Sequence, residues 1–329
     1  MNSSKVVLEF KNVSKFYDVS RTLKEILSGN KPQVKAVENV SFQISQGESV
    51  GILGESGCGK TTLAKLILNL LKPNKGEIFF EDVQINKLTD RKDIIAYKRK
   101  LQFIFQNPYD SLNPRFTIKE ILLEPLKALG FAKIKYDEMI SNVMQLVKLK
   151  NQEEYLHKYP HELSGGQLQR IVLARALIIN PKFVVADEPV SMLDVSVRAG
   201  ILNAFNEAKS KMNFTAIYIS HDLALVKYVC ERTIVMYLGS IVEDGPTDEV
   251  VKNPLHPYTK ALVMAVPVPH VNQSHEPLPI KGNIPDATKI YKGCKFADRC
   301  PKAKEICFND NPKLEVKSQM NHRIACHFV

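Results

Sequence analysis

Residues 1 to about 250 predict an α/β unit with a largely parallel sheet, on three observations. Short apolar runs recur along the chain: SVGIL (49–53), LQFIF (101–105), FVVA (183–186) and TAIYI (215–219). Continuous runs of this length suit strands buried on both faces. Segments of helical period lie between them, and such alternation calls for a parallel sheet covered on two sides. A glycine-rich stretch, GESGCGKT (54–61), joins the first run to the first helix.

That first helix is expected over TLAKLILNLLK (62–72), with Leu63, Leu66, Ile67 and Leu70 on one face and Pro73 closing it. Residues 107–181 have little strand character. TIKEILLEPLKALG and KYDEMISNVMQLVKL within them read as helices, so a helical subdomain inserted in the α/β core is expected there. After residue 250 the texture changes. NPLHPYTKAL is followed by VPVPH, HEPLPI and GNIPDA, where proline is dense and periodicity is lost. Residues 251–329 are therefore expected to form a small irregular module.

Composition is that of a soluble protein, with 44% hydrophobic and 24% charged residues. No window holds the ~18 uninterrupted apolar residues that a membrane span needs. The start, MNSSKVVLEFKNV, lacks the long apolar core of a signal peptide. These features predict a cytoplasmic protein, able to sit on a membrane through a partner. The net charge of +10 invites a nucleic-acid reading. The lysines, however, are spread along the chain among acids with no basic tail, which is the pattern of a solvated surface, so no nucleic-acid partner is expected.

GESGCGKT fits G-x-x-x-x-G-K-S/T, the pattern of a phosphate cradle. Gly54, Gly57 and Gly59 let the backbone wrap closely around phosphates, with Glu55, Ser56 and Cys58 in the variable slots. The helix that follows presents its positive end. Lys60 is placed for the β- and γ-phosphates, the Thr61 hydroxyl for Mg2+, and Thr62 for a further phosphate contact. A redox role for Cys58 is a minor alternative. KFVVADEP (182–189) ends a strand in two acids: Asp187 to hold Mg2+, and Glu188 to polarise an attacking water.

ELSGGQLQR (162–170) gives this pair its context. Here the sequence resembles the ATP-binding subunits of ABC transporters, whose LSGGQ signature binds the γ-phosphate of ATP held by the opposite subunit. Ser164 is suited to cap the helix, Gly165 and Gly166 to leave its first amides open to an anion, and Gln167 completes the motif. Leu168, Ile171 and Val172 would anchor the helix. The resemblance also implies roles for Gln106 as the Q-loop glutamine, sensing Mg2+ and water, and for SMLD (191–194) as the D-loop with Asp194. It places His221 of ISHDL on the γ-phosphate, and Tyr17 on the adenine with Phe16 as runner-up. Met192 stands where alanine is more usual. FQNPYDSLNPR, YPHELSGGQ, DEPVSMLDVSVRA and NPLHPYTKAL narrow the resemblance to the oligopeptide/dipeptide/nickel import subfamily.

The resemblance implies a P-loop NTPase fold of the ABC type. It further implies a second ATPase subunit of a different chain, two transmembrane permeases, a substrate-binding protein outside, and a peripheral place on the cytoplasmic face of the membrane. Each ATP would lie in a head-to-tail sandwich. The expected cargo is a peptide, with nickel or another small solute as the alternative. A soluble ABC-type ATPase acting on DNA or the ribosome is the rival. It has little support, since no long coiled coil splits the cassette and only one P-loop is present.

Four of the six cysteines, Cys294, Cys300, Cys307 and Cys326, crowd the C-terminus. Their spacings are wider than the tight pairs of zinc modules. Four thiolates in an irregular loop suit a 4Fe–4S cluster, and Cys300-Pro301 echoes the Cys-Pro step of ferredoxins. The subfamily carries a similar set. Zinc, supported by His322 and His327 beside Cys326, and reduced structural cysteines remain the alternatives.

Overall fold

The computed structural model describes residues 5–18, 33–266, 280–282, 285, 288–317 and 321–329. Residues 1–4 and most of the proline-dense stretches between 267 and 287 lie outside them. The chain divides into two compact units: residues 1–86 with 219–329, and residues 87–218.

The first unit holds two sheets. β1 (Val6–Asp18), β2 (Gln33–Ser45), β4 (Lys75–Phe80) and β5 (Val83–Gln84) form an antiparallel sheet in the order β2-β1-β4-β5. β1 alternates imperfectly because its register with β2 shifts four times along its length, around Asn12 and Asn39 in left-handed backbone. Phe10 and Phe42 stack across the two strands with ring centroids 4.7 Å apart. This antiparallel sheet is absent from the sequence expectation, which located only the apolar runs.

The other sheet of this unit runs β11-β12-β10-β9-β3, where β3 is Ser49–Leu53, β9 Arg232–Tyr237, β10 Ser240–Pro246, β11 Glu315–Val316 and β12 Arg323–Ile324. β3 is buried at every residue, as its unbroken apolar run requires, and pairs in parallel with β9 from Val50–Arg232 to Leu53–Val235. β10 returns antiparallel beside β9, and the short β12 adds to its other edge. The helix after β3 is shorter than predicted. It spans Lys60–Ile67, and Asn69 then adopts a left-handed φ of 52°. Leu70 therefore leaves the buried face and is exposed.

The second unit carries the order β8-β7-β6, with β6 Leu101–Ile104, β7 Phe183–Asp187 and β8 Thr215–Ser220. β6 and β7 are parallel, and β7 is wholly buried. Helices fill residues 107–181. Ile118–Ala128 starts at a capping box, in which Thr117 and Glu120 exchange hydrogen bonds, and buries Ile118, Ile121, Leu122 and Leu126 on one stripe. Tyr136–Leu146 buries Ile140, Val143 and Met144.

Beyond residue 250 the described segments contain more regular structure than the sequence suggested. Pro257–Met264 is a helix with His256 as its cap, and Glu305–Asn309 is a single helical turn. An aromatic group anchors the region to β9: Tyr237, Tyr258 and Phe296 have ring centroids 4.8–5.5 Å apart. All three rings are buried. Replacing Phe10 by Ala removes a fully buried ring, stacked on Phe42, from the antiparallel sheet's core. It is expected to cost about 3–5 kcal/mol, read as a lower denaturant midpoint in equilibrium unfolding.

Candidate active site

In the first unit the candidate phosphate loop, residues 54–61, closes on its own lysine. Lys60 is buried, and its ammonium donates to the carbonyls of Gly54 (2.7 Å) and Glu55 (3.0 Å). Burying a cation is costly unless acceptors replace water, and the curled loop supplies them. Gly57 and Gly59 have φ of 81° and 104°. At Gly59 a Cβ would lie 2.0 Å from the Ala36 carbonyl oxygen of β2, so no side chain fits there. The Gly239 amide, at the β9–β10 turn, donates to the Cys58 carbonyl at 2.9 Å. The loop is thus held from β2 and from the β9–β10 hairpin.

Helix Lys60–Ile67 begins with no side-chain cap, so no cap competes for its first amides. Thr61 is exposed and Thr62 half-buried at this start, while Ser56 and Gly57 are exposed on the loop. The Cys58 thiol is buried, which raises its pKa against the pull of the Lys60 ammonium, so it is held as a thiol. This disfavours the redox alternative for that residue. Tyr17 is exposed on β1 opposite Val34, with the Lys15 ammonium 5.7 Å from its ring. Phe16, its neighbour, is half-buried. His221 is exposed just past β8, and the next residue, Asp222, caps Leu223–Val229 by accepting from the amides of Ala224 and Leu225.

In the second unit, Asp187 is buried at the end of β7, and Glu188 follows at φ 45°, a left-handed conformation that a non-glycine residue adopts at a cost. The Gln106 amide donates to the Glu188 carboxylate at 3.0 Å. The structure thus brings together two residues 82 positions apart that the sequence nominated separately. The turn after Glu188 is braced from within. Ser191 donates to the Glu188 carbonyl, and the Arg198 guanidinium to the carbonyls of Leu193 and Ser191. Arg198 was not singled out in the sequence, since a lone arginine on a helix face carries no local signal. Asp194 is exposed at the start of Val195–Met212, and Met192 is exposed beside it.

The signature helix, Gly165–Leu177, starts as expected. The Ser164 hydroxyl accepts from the Gln167 amide, and the Gln167 side chain accepts from the Ser164 amide. Leu168, Ile171 and Val172 are buried beneath it. Gly166 is also needed for packing, because a Cβ there would lie 2.6 Å from Cγ1 of Val197.

The hydroxyl, amide and carboxylate oxygens of Thr61, Gln106 and Asp187 are hard donors of the type that suits Mg2+. The C-terminal cysteines are different. Cys294, Cys300, Cys307 and Cys326 all line one cavity with Phe296 and His327. Yet among the described residues no three His, Cys, Asp or Glu side chains gather as ligands of one metal ion. A zinc ion needs sulfurs about 2.3 Å from a common centre, so the expectation of a ready-made metal site is not supported. His322 instead pairs with buried Glu243 at 2.7 Å, and His327 with the Asp310 carbonyl at 3.0 Å. Burial pushes the Cys294 thiol up to about 11 and raises that of Cys300.

Comparison with known proteins identifies the family. Residues 37–191 match the family described as ABC transporter, and residues 242–307 the family described as oligopeptide/dipeptide transporter, C-terminal region. The chain is 39% identical over 328 residues to AppF, an oligopeptide transport ATP-binding protein of Bacillus subtilis (strain 168), covering 99% of this chain and 98% of AppF. This chain belongs to the ATP-binding proteins of ABC transporters. A Brucella ovis protein named for peptide import is 42% identical over 294 residues, covering 89% of this chain and 92% of its own. Among solved structures, a dimeric ATP-binding cassette in a post-hydrolysis state with ADP and Pi aligns with a TM-score of 0.63 at 27% identity. It covers 73% of this chain and 98% of that one. The chain is accordingly an ATP hydrolase of the ABC type, and among its described residues no helix is long and apolar enough to cross a membrane.

Sequence reading missed Tyr258 and Arg299, which hold Glu55 of the cassette's phosphate loop. Tyr258 lay in view within NPLHPYTKAL, but only as a mark of resemblance. Gly59→Ala should disable the loop: we expect ATP affinity to fall more than about tenfold, because both the left-handed φ and the Ala36 carbonyl oppose a methyl group. Titration with ATP, beside a melting curve, checks it.

Proposed function

We propose that this cassette powers peptide import, working as one of two ATPase subunits on the cytoplasmic face of a membrane transporter. The observation that carries the reading is similarity along almost the whole chain, C-terminal extension included, to a protein named for oligopeptide transport. Two permeases, a second and different ATPase chain, and a substrate-binding protein outside complete the proposed assembly.

In this reading Lys60 binds the β- and γ-phosphates of ATP, with loop and helix-start amides other than those of Glu55 and Cys58 around them, and Tyr17 stacks on the adenine. Thr61, Gln106 and Asp187 would hold Mg2+, which when bound neutralises charge on the phosphates. Glu188 takes the proton of the attacking water, held in place by the Gln106 amide on its carboxylate. His221 contacts the γ-phosphate. Ser164, Gly165, Gly166, Gln167 and Asp194 serve ATP on the partner subunit. The helix start supports that role, since its cap engages the amides of Ser164 and Gln167 and so leaves those of Gly165 and Gly166, which have no partner within the helix, to face an anion. Hydrolysis then reopens the sandwich and resets the permeases.

The four cysteines enter this proposal as a 4Fe–4S site, supported by their shared cavity alone. Anaerobic purification should give brown protein with iron and sulfide. Colourless protein without either removes the cluster.

Glu188→Gln should leave ATP binding within about twofold of the parent while turnover in the assembled transporter drops about 10²-fold or more, the scale of a lost general base. Unchanged steady-state hydrolysis would take Glu188 out of the catalytic role. For the cargo, loss of labelled peptide uptake when the chain is removed supports the reading. Intact peptide uptake with lost nickel uptake would replace it.

A further inference from the structure

We propose that the C-terminal extension is a clamp on the phosphate loop, with Arg299 and Tyr258 as positioning residues for ATP binding by the same chain. The inference rests on residues 54–61 being the phosphate loop. It concerns groups that the motifs do not contain.

Glu55 is the point of attachment. Its carboxylate takes both ends of the Arg299 guanidinium, Nη1 to Oε2 at 2.8 Å and Nη2 to Oε1 at 3.0 Å. Its amide donates to the Tyr258 hydroxyl at 2.8 Å. Its carbonyl accepts from the Lys60 ammonium at 3.0 Å. One residue therefore ties the loop lysine to two side chains from beyond residue 250. A two-pronged guanidinium–carboxylate pair fixes orientation as well as distance.

Neither holder has freedom to move. Arg299 is only 4% exposed and Tyr258 fully buried. The guanidinium lies 5.7 Å from the Tyr237 ring and 5.9 Å from the Phe296 ring, and Nη1 also reaches the Tyr237 hydroxyl at 3.4 Å. Phe296 and Tyr258 themselves pack on Tyr237. Arg299 ends the turn Ala297–Arg299, immediately before Cys300. A second strap runs from the same segment. The Lys295 ammonium pairs with Glu38 of β2 at 2.8 Å and donates to the Leu238 carbonyl beside Gly239, whose amide holds Cys58. The extension thus grips the loop at Glu55 and braces the two elements that flank it.

The consequence is preorganisation. A loop whose donors are already aimed loses less conformational freedom on binding phosphate, and that saving appears as affinity. A buried guanidinium deprived of its carboxylate is also left uncompensated, so the two groups act as a unit.

The test uses the full-length chain and the non-hydrolysable analogue AMP-PNP, with melting temperature followed in parallel. Arg299→Met and Glu55→Gln should each weaken binding about tenfold, the size of one charge-assisted hydrogen-bonded pair. The double variant should be no worse than the weaker single by more than about twofold, as expected for two groups of one interaction. Arg299→Lys should fall between, and Tyr258→Phe, which removes one hydroxyl, should weaken binding about threefold with an unchanged melting temperature. Lys60→Ala is the control on the loop itself. If it abolishes binding while folded Tyr258→Phe and Glu55→Gln bind like the parent, the clamp is wrong and the loop assignment stands. If Lys60→Ala binds like the parent, the loop assignment falls and takes the clamp with it. Additive losses in the double variant also overturn the clamp.

Discussion

The buried ammonium of Lys60 is the constraint on which the rest of the cassette depends. A cation at 7% exposure must be surrounded by acceptors, and the chain provides them by curling residues 54–59 until two backbone carbonyls face it. That curl needs left-handed backbone at Gly57 and Gly59, and it brings Gly59 so close to Ala36 that β2 becomes a wall of the loop. The β9–β10 turn supplies an amide to Cys58. Holding one lysine therefore engages three strands, and the C-terminal residues that engage Glu55 extend the same scaffold.

The second unit is organised around a different economy. Its candidate catalytic carboxylate sits in a strained conformation one residue past a fully buried strand, and the Gln106 amide donates to it. Strain at one residue persists only where the surroundings over-determine it. Here Ser191 and Arg198 fix the turn that follows. The signature helix caps itself through Ser164 and Gln167, and the missing side chain of Gly166 permits close packing against Val197.

Much of this was legible in the sequence because the chemistry is local. A phosphate cradle, an acid pair after an apolar strand and a capped glycine-rich helix start each lie within ten residues, and the physical need names the residue type. Strands β3, β7 and β8 were legible because burial on both faces demands unbroken apolar runs, and the half-buried β6 because its run is apolar but for Gln102. The antiparallel sheet was not, since β1 mixes charged and apolar residues and bulges along its length. Leu70 misled because helical period continues past the point where Asn69 turns the chain. The Glu55–Arg299 pair joins residues 244 apart, and only the tertiary fold makes that meeting visible. The four cysteines are a different case: sequence suggested a ligand set, and the fold places them around one cavity without a ready-made metal site among the described residues.

The central claim is that this chain carries half of each ATP site, so that binding needs one subunit and hydrolysis two. It is tested most directly by measuring ATP turnover per subunit against the concentration of the purified chain, and then against added partner ATPase. The account predicts ATP binding by the isolated chain with negligible turnover, and turnover that climbs steeply as the partner ATPase is added. Turnover per subunit that is high and independent of concentration, in a chain shown to remain monomeric, would contradict it.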